Sequence, residues 1–182
     1  MAMTVREAFE KGTDTFNAHD IDGFTSVLAD DVTCSAPGGI TGQGKAACAQ
    51  FFAAWWDAFP DAHVDVRAVH IVDDIAVEEG TFTGTHHGTL RSPAGDIAPT
   101  GRPVTVDYTH VLRYRDGEHT SFNLIFDRLQ MLEQLGLIPT PGTLRLSPLP
   151  RCDMSAALRT ERRETAGVIM RRWSLIPHQA TA

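Results

Sequence analysis

The sequence predicts an α+β fold in which three N-terminal helices precede an antiparallel sheet. Three observations predict it. Apolar residues recur at helical spacing through the first third of the chain, up to Pro60. From Ala62 onward the pattern turns to alternation rich in Val and Thr, the mark of strands. Asp116-Gly117 then joins two long alternating runs, the signature of a two-residue hairpin turn of type I′.

Each element has a local reason. Thr4-Val5-Arg6-Glu7 is a capping box, so the first helix starts near Thr4, with Val5, Ala8, Phe9 and Phe16 on roughly one face. Asp20 caps a short second helix whose inward residues are Ile21, Phe24, Val27 and Leu28. Val32 to Ser35 reads as a short strand ended by Pro37-Gly38-Gly39. The third helix runs from about Gln43 to Phe59 and stops at Pro60. Its spacing sets Phe52, Trp55, Trp56 and Phe59 along one stripe. Such a stripe suits core packing, and equally the wall of a pocket for a flat apolar ligand.

Ala62 to Val72 and Ile75 to Gly88 are strands joined at Asp73-Asp74. The second ends in Gly84-Thr85-His86-His87-Gly88, and alternation sends His86 and His87 to opposite faces, so one of them points inward. Thr89 to Gly101, with Pro93, Gly95 and Pro99, is a loop long enough to act as a lid. Arg102 to Arg115 and Glu118 to Asp127 form the hairpin. A plain two-residue turn pairs Arg115 with Glu118, Tyr114 with His119, His110 with Asn123 and Val106 with Asp127. In that register Val106, Tyr108, His110 and Leu112 share a face with Asn123, Ile125 and Asp127. Asp127 follows Leu124-Ile125-Phe126 at a strand-to-helix junction. An acid on so apolar a strand is costly unless paired, hydrogen-bonded or protonated, which makes it a candidate working residue. The same position suits a helix N-cap, and the residues alone leave both readings open.

The chain has 182 residues, 42% of them hydrophobic, which suits one domain with a real core. We place that domain at residues 1–139. Residues 140–182 form an irregular C-terminal extension in which Met154 to Arg172 reads as a solvated basic tail or as a partner-binding helix. The net charge of −7 argues against nucleic acid or an anionic membrane as partner. No apolar run is long enough to span a bilayer, and the N-terminus lacks the apolar core of a signal peptide, so a cytoplasmic location is expected. Cys34, Cys48 and Cys152 read as reduced, partly buried thiols. There is no P-loop and no dinucleotide-binding glycine fingerprint, and His86, His87, His110 and His119 match no metal-ligand spacing. Neither cofactor nor metal is expected.

The run Phe16-Asn17-Ala18-His19-Asp20, then FFAAWWDAFPD, GTHHG, Pro99-Thr100-Gly101-Arg102 and the Arg115-Asp116-Gly117 turn, closes with Asp127-Arg128-Leu129 and Gln134-Leu135-Gly136. In order and spacing this resembles the nuclear transport factor 2-like superfamily, and within it the SnoaL-like polyketide cyclases, over about Ala8 to Pro139. The resemblance implies a cone-shaped, curved antiparallel sheet that encloses a pocket with the three helices. It also implies a homodimer or homotetramer, because a second copy usually covers the open sheet of such a cone. The implied reaction is a metal-free intramolecular aldol condensation that closes the last ring of an aromatic polyketide methyl ester. Asp127 matches the acid/base Asp of such cyclases, and His110 is similar to an inward His on the preceding strand. Phe16 and His86 look like pocket residues; Phe52, Trp56, Tyr108 and Asn123 complete the expected substrate-binding set. Asn123 and Leu124 depart from the family pattern, where charged residues are common. The alternatives are another tailoring enzyme on the same fold (an isomerase, a hydrolase or a hydroxylation component) and a non-catalytic protein that binds a hydrophobic ligand. An epoxide hydrolase would need a second carboxylate and an Arg in the pocket, and Asp107 and Arg113 fall on the other face.

Overall fold

Thr4 opens α1 (Val5–Asn17) through the capping box that its sequence spells. Its Oγ1 accepts from the Glu7 N–H at 3.2 Å, and the Glu7 carboxylate accepts from the Thr4 N–H at 2.8 Å. Asp20 caps α2 (Ile21–Thr25) by accepting from the Gly23 N–H at 2.9 Å. Between the two helices His19 turns the chain with φ 55°. Its Nε2 donates to the Ala62 carbonyl at 2.8 Å, and its ring stacks on Trp56. The Asn17 amide accepts from the Val64 N–H at 2.9 Å and donates to the Val64 carbonyl at 3.0 Å. The Phe16-to-Asp20 run is therefore a joint that ties the end of α1 to the sheet.

The computed structural model describes residues 3–92 and 95–138. The C-terminal extension, its basic segment and Cys152 lie outside the described residues. After α2 come β1 (Leu28–Ala36), β2 (Ile40–Gln43) and α3 (Lys45–Ala58), then β3 (His63–Val72), β4 (Ile75–Thr85), β5 (Pro103–Arg115) and β6 (Glu118–Phe126). A short α4 (Arg128–Gln134) follows. The six strands form one curved, unclosed sheet in the order β2-β1-β6-β5-β4-β3. All pairs are antiparallel except β1 with β6. Register shifts interrupt the β1/β6, β3/β4 and β5/β6 pairs, and such bulges bend a sheet. No helix among the described residues is long and apolar enough to cross a membrane.

The strand β2 was not expected; it is four residues long and sits in a stretch that reads as the approach to α3. The GTHHG run serves close packing. The His87 and Gly88 N–H groups both donate to the Ala58 carbonyl at 3.0 Å. A Cβ at Gly88 would lie 1.8 Å from the Asp57 carbonyl oxygen, so only glycine fits there.

The β5–β6 turn is as expected: Asp116 and Gly117 have φ of 54° and 81°, the type I′ geometry. The register beyond it is not. Tyr114 pairs with His119, but Arg113 pairs with Ser121, leaving Thr120 as an extra residue whose hydroxyl donates to the Arg113 carbonyl at 3.2 Å. This bulge shifts every later pair by one. His110 lies opposite Leu124 and Tyr108 opposite Phe126. Phe122, Leu124 and Phe126 consequently face inward, and Asn123 and Ile125 face outward.

Candidate active site

The inner face of the sheet and helices α1 to α3 enclose a cavity of about 100 Å³, several times the space one buried water needs. Aromatic side chains make most of its wall: Phe16 from α1, Phe24 from α2, Phe51, Phe52 and Trp55 from α3, and Phe82, Phe122 and Phe126 from the strands. Alternation along β5 brings Val106, Tyr108, His110 and Leu112 to the same wall, as the sequence predicts. The polar lining is Thr13, Glu78, Tyr108, His110 and His119, and among the described lining residues there is no Lys or Arg.

Glu78 is the group that decides what this cavity can do. It lies on the inward series of β4 with Ala76, Gly80 and Phe82, directly opposite His110, and is 4% exposed. One carboxylate oxygen accepts a short hydrogen bond from the Tyr108 hydroxyl. The other, Oε2, stands 3.6 Å from His110 Nδ1. The strand partner of Tyr108 is Gly80. A Cβ there would lie 2.6 Å from the Tyr108 hydroxyl oxygen and 2.7 Å from its Cζ, so the missing side chain is what lets the phenol reach Glu78.

Burial, and then the charge and hydrogen bond of Glu78, push the Tyr108 phenol well above its ordinary range, so it remains a proton donor at neutral pH. His110 Nε2 is buried and has no hydrogen-bond partner. His119 is 4% exposed and its Nε2 donates to the Ala8 carbonyl at 3.4 Å. Burial, helped by the neighbouring His110, pushes its pKa down to about 4, while the Ala8 bond and Glu78 act the other way. His119 is therefore neutral at pH 7. An imidazole beside a buried carboxylate, in apolar surroundings, can accept a proton and return it.

Of the eight residues expected at the site, four line the cavity: Phe16, Phe52, Tyr108 and His110. The other four do not. Trp56 packs behind the cavity wall against α1 and α2, with ring centroids 5.6 Å from Phe16, 6.4 Å from Phe24 and 5.4 Å from His19; its neighbour Trp55 lines the cavity. One residue along a helix is a rotation of about 100°, so the two Trp cannot share a face. His86 is fully buried outside the cavity. Its Nδ1 accepts from the Thr100 N–H at 3.3 Å and its ring tilts against Phe59, fastening the 89–101 loop. Burial pushes its pKa down. That loop supplies no described residue to the cavity lining, so the described part of it does not act as its lid.

Asn123 sits on the outer face, where its Oδ1 accepts from the Ser35 hydroxyl at 2.8 Å. Asp127 is exposed and is the N-cap of α4, its Oδ1 accepting from the Gln130 N–H at 3.0 Å. The Thr120 bulge is the physical reason both miss the inner face. Asp107 and Arg113 are on the outer side as expected, and Asp107 pairs with Arg67 at 3.0 Å. Cys34 and Cys48 are buried free thiols, and burial pushes Cys48 up to about 12.

Sequence reasoning missed Glu78, His119 and Thr13. A signal for Glu78 was present: Phe82 and Glu78 fall on the same alternation of β4, so an acid had to face the apolar side. Among the described residues no group of three or more His, Cys, Asp or Glu is placed to hold a metal ion.

A family model described as the SnoaL-like domain matches residues 7–122. The chain belongs to the SnoaL-like family. Solved structures of similar fold include AclR from Streptomyces galilaeus, a candidate hydroxylase, at 18% identity and TM-score 0.65, over 92% of this chain and 96% of that one. A candidate SnoaL-like polyketide cyclase from Jannaschia sp. CCS1 matches at 18% identity and TM-score 0.66, over 74% of this chain and 93% of that one. IdmH from Streptomyces antibioticus, a candidate polyketide cyclase, matches at 22% identity and TM-score 0.61, over 74% and 99%. A search of the curated proteins finds no match. At these identities the likeness is one of fold, and the SnoaL-like fold here is the nuclear transport factor 2-like one that the sequence resembles.

Proposed function

We propose that this SnoaL-like protein is an acid/base enzyme that closes a ring in an aromatic polyketide ester by intramolecular aldol addition. The observation that carries the proposal is the cluster of Glu78, Tyr108 and His110 set into a largely aromatic cavity wall. The candidate polyketide cyclases among the structures of similar fold support the substrate class. Flat rings fit between Phe16, Phe52 and Trp55 on the helices and Phe122 on the sheet, which holds the two reacting carbons together.

A C–H flanked by an ester carbonyl and an aromatic polyketone is acidic, because its enolate delocalises. His110 Nε2 takes that proton. The carbanion attacks a ketone carbon of the same molecule: a C–C bond forms, and the C=O π pair moves onto oxygen. The alkoxide then takes the proton back from His110. The product is an isomer of the substrate, and the step needs no further reactant. Asp127 has no part in this scheme. The same reading includes assembly as a homodimer or homotetramer, supported by Ile125, an apolar residue 50% exposed on the outer face of the sheet.

The test is conversion of an anthraquinone-type polyketide methyl ester by the wild type and by His110→Ala. The wild type should close the ring; the variant should bind the ester but turn over about 10²- to 10⁴-fold more slowly. A wild type that binds the ester without converting it would refute the reaction.

A further inference from the structure

We propose that Glu78 and His110 form a carboxylate–imidazole dyad, in which Glu78 keeps the His110 proton on Nδ1 and so leaves Nε2 as the base for an uncharged carbon acid. The inference deepens the proposed function and rests on it. Glu78 and His110 are directly paired across β4 and β5, and Oε2 already faces Nδ1 at 3.6 Å. Such contacts are often long in an unliganded site and tighten when substrate binds. Tyr108 holds Oε1, which stops the carboxylate from turning away, and Gly80 gives Tyr108 the room to do so. Glu78 and Tyr108 are thus positioning residues, and His110 is the catalytic one.

The far side of the ring supplies the second observation. His110 Nε2 is buried with no partner in a wall of the cavity. A buried polar atom is costly to leave unpaired, and a substrate proton arriving there removes that deficit. With Nδ1–H directed at a carboxylate, the neutral ring presents a lone pair at Nε2. Proton capture at Nε2 creates an imidazolium that the carboxylate stabilises without itself being protonated.

The titratable groups facing His110 are few. Glu78 comes from β4, Tyr108 from β5 and His119 from β6, while α1 contributes only the hydroxyl of Thr13 to this part of the lining. Among the described lining residues Glu78 is the only acid, and there is no Lys or Arg. A free acid would therefore meet a carboxylate with nothing to offset its charge, whereas a neutral ester or ketone would not. The substrate class is an uncharged carbon acid.

The test reads the His110 ring by ¹⁵N NMR across pH, with the signals assigned from their loss in His110→Gln. In the wild type the neutral ring should carry its proton on Nδ1. In Glu78→Gln the Nε2–H tautomer should dominate, with kcat reduced about 10²- to 10⁴-fold and KM little changed. Tyr108→Phe, which frees the carboxylate to turn away, should move the tautomer balance in the same direction by less, and it carries the test if Glu78→Gln does not fold. A wild-type ring protonated on Nε2, or a tautomer balance unmoved by the substitution at Glu78 or Tyr108, would overturn the dyad. These readouts need no substrate, so they stand or fall apart from the ring-closing reaction.

Discussion

His110 on β5 lies opposite Leu124 on β6. That pairing holds because Thr120, between the turn and the site, is bulged out of the ladder. Deleting Thr120 would remove the bulge and leave Phe122 opposite Leu112 and Leu124 opposite His110, so the cavity wall keeps its inward face. The deletion protein is expected to keep a cooperative unfolding transition and its near-UV circular dichroism, losing only the bend that the bulge gives the strand. A molten deletion protein, with the near-UV signal lost, would contradict that register.

Gly80→Ala should be disruptive for so small a change. The new Cβ would stand 2.6 Å from the Tyr108 hydroxyl oxygen and 2.8 Å from the Asp65 carbonyl oxygen. Overpacking of this kind costs roughly 1–3 kcal/mol. Tyr108 must also move off Glu78, so activity should fall further than stability alone explains. Chemical denaturation beside turnover on folded protein separates the two effects, and an Ala variant with wild-type stability would show that the Tyr108 ring is free to move.

His119 makes stability depend on pH in a defined window. Its folded pKa is about 4 against an ordinary value of 6.5. Above pH 6.5 both folded and unfolded forms are neutral, and the group adds no slope. As pH falls from 6.5 toward 4 the unfolded chain takes up a proton that the folded protein refuses, so stability is lost through that window. Between pH 7 and pH 5 the loss from this group is on the order of 2 kcal/mol. Urea unfolding of the wild type and His119→Gln at both pH values reads it: the variant should show the smaller drop. Equal drops would mean that His119 is protonated in the folded protein.

Asn17→Ala removes both hydrogen bonds to the Val64 backbone and leaves that N–H and carbonyl unpaired. The expected loss is about 2–4 kcal/mol, since each orphaned group costs roughly 1–3 kcal/mol if it stays out of water. A change below about 0.5 kcal/mol would show that water replaces the clamp.

Much of the fold was legible because its signals are local. The Thr4 capping box, the Asp20 cap and the Asp116-Gly117 turn each fix an element from a few adjacent residues. The family motifs were legible too, but as joints: Asn17 and His19 bind β3 to α1, and Gly88 lets a strand end pass close to α3. The site was only partly legible. Alternation alone placed Tyr108 and His110, because it depends on nothing beyond β5. Asn123 and Asp127 were misplaced because their faces depend on a bulge, and Thr120 carries no residue signature of one. Glu78 went unnoticed for another reason. Its importance comes from Gly80, Tyr108 and His110, which only strand pairing brings beside it.

The most direct measurement is turnover of an aromatic polyketide methyl ester by Asp127→Asn beside His110→Gln. Asn is as good a helix cap as Asp, so Asp127→Asn should keep its fold. The expected result is near-wild-type turnover for Asp127→Asn and a loss of about 10²-fold or more for His110→Gln. The reverse pattern, with Asp127→Asn inactive and His110→Gln active, would place the working acid at the strand end and contradict a base in the aromatic cavity.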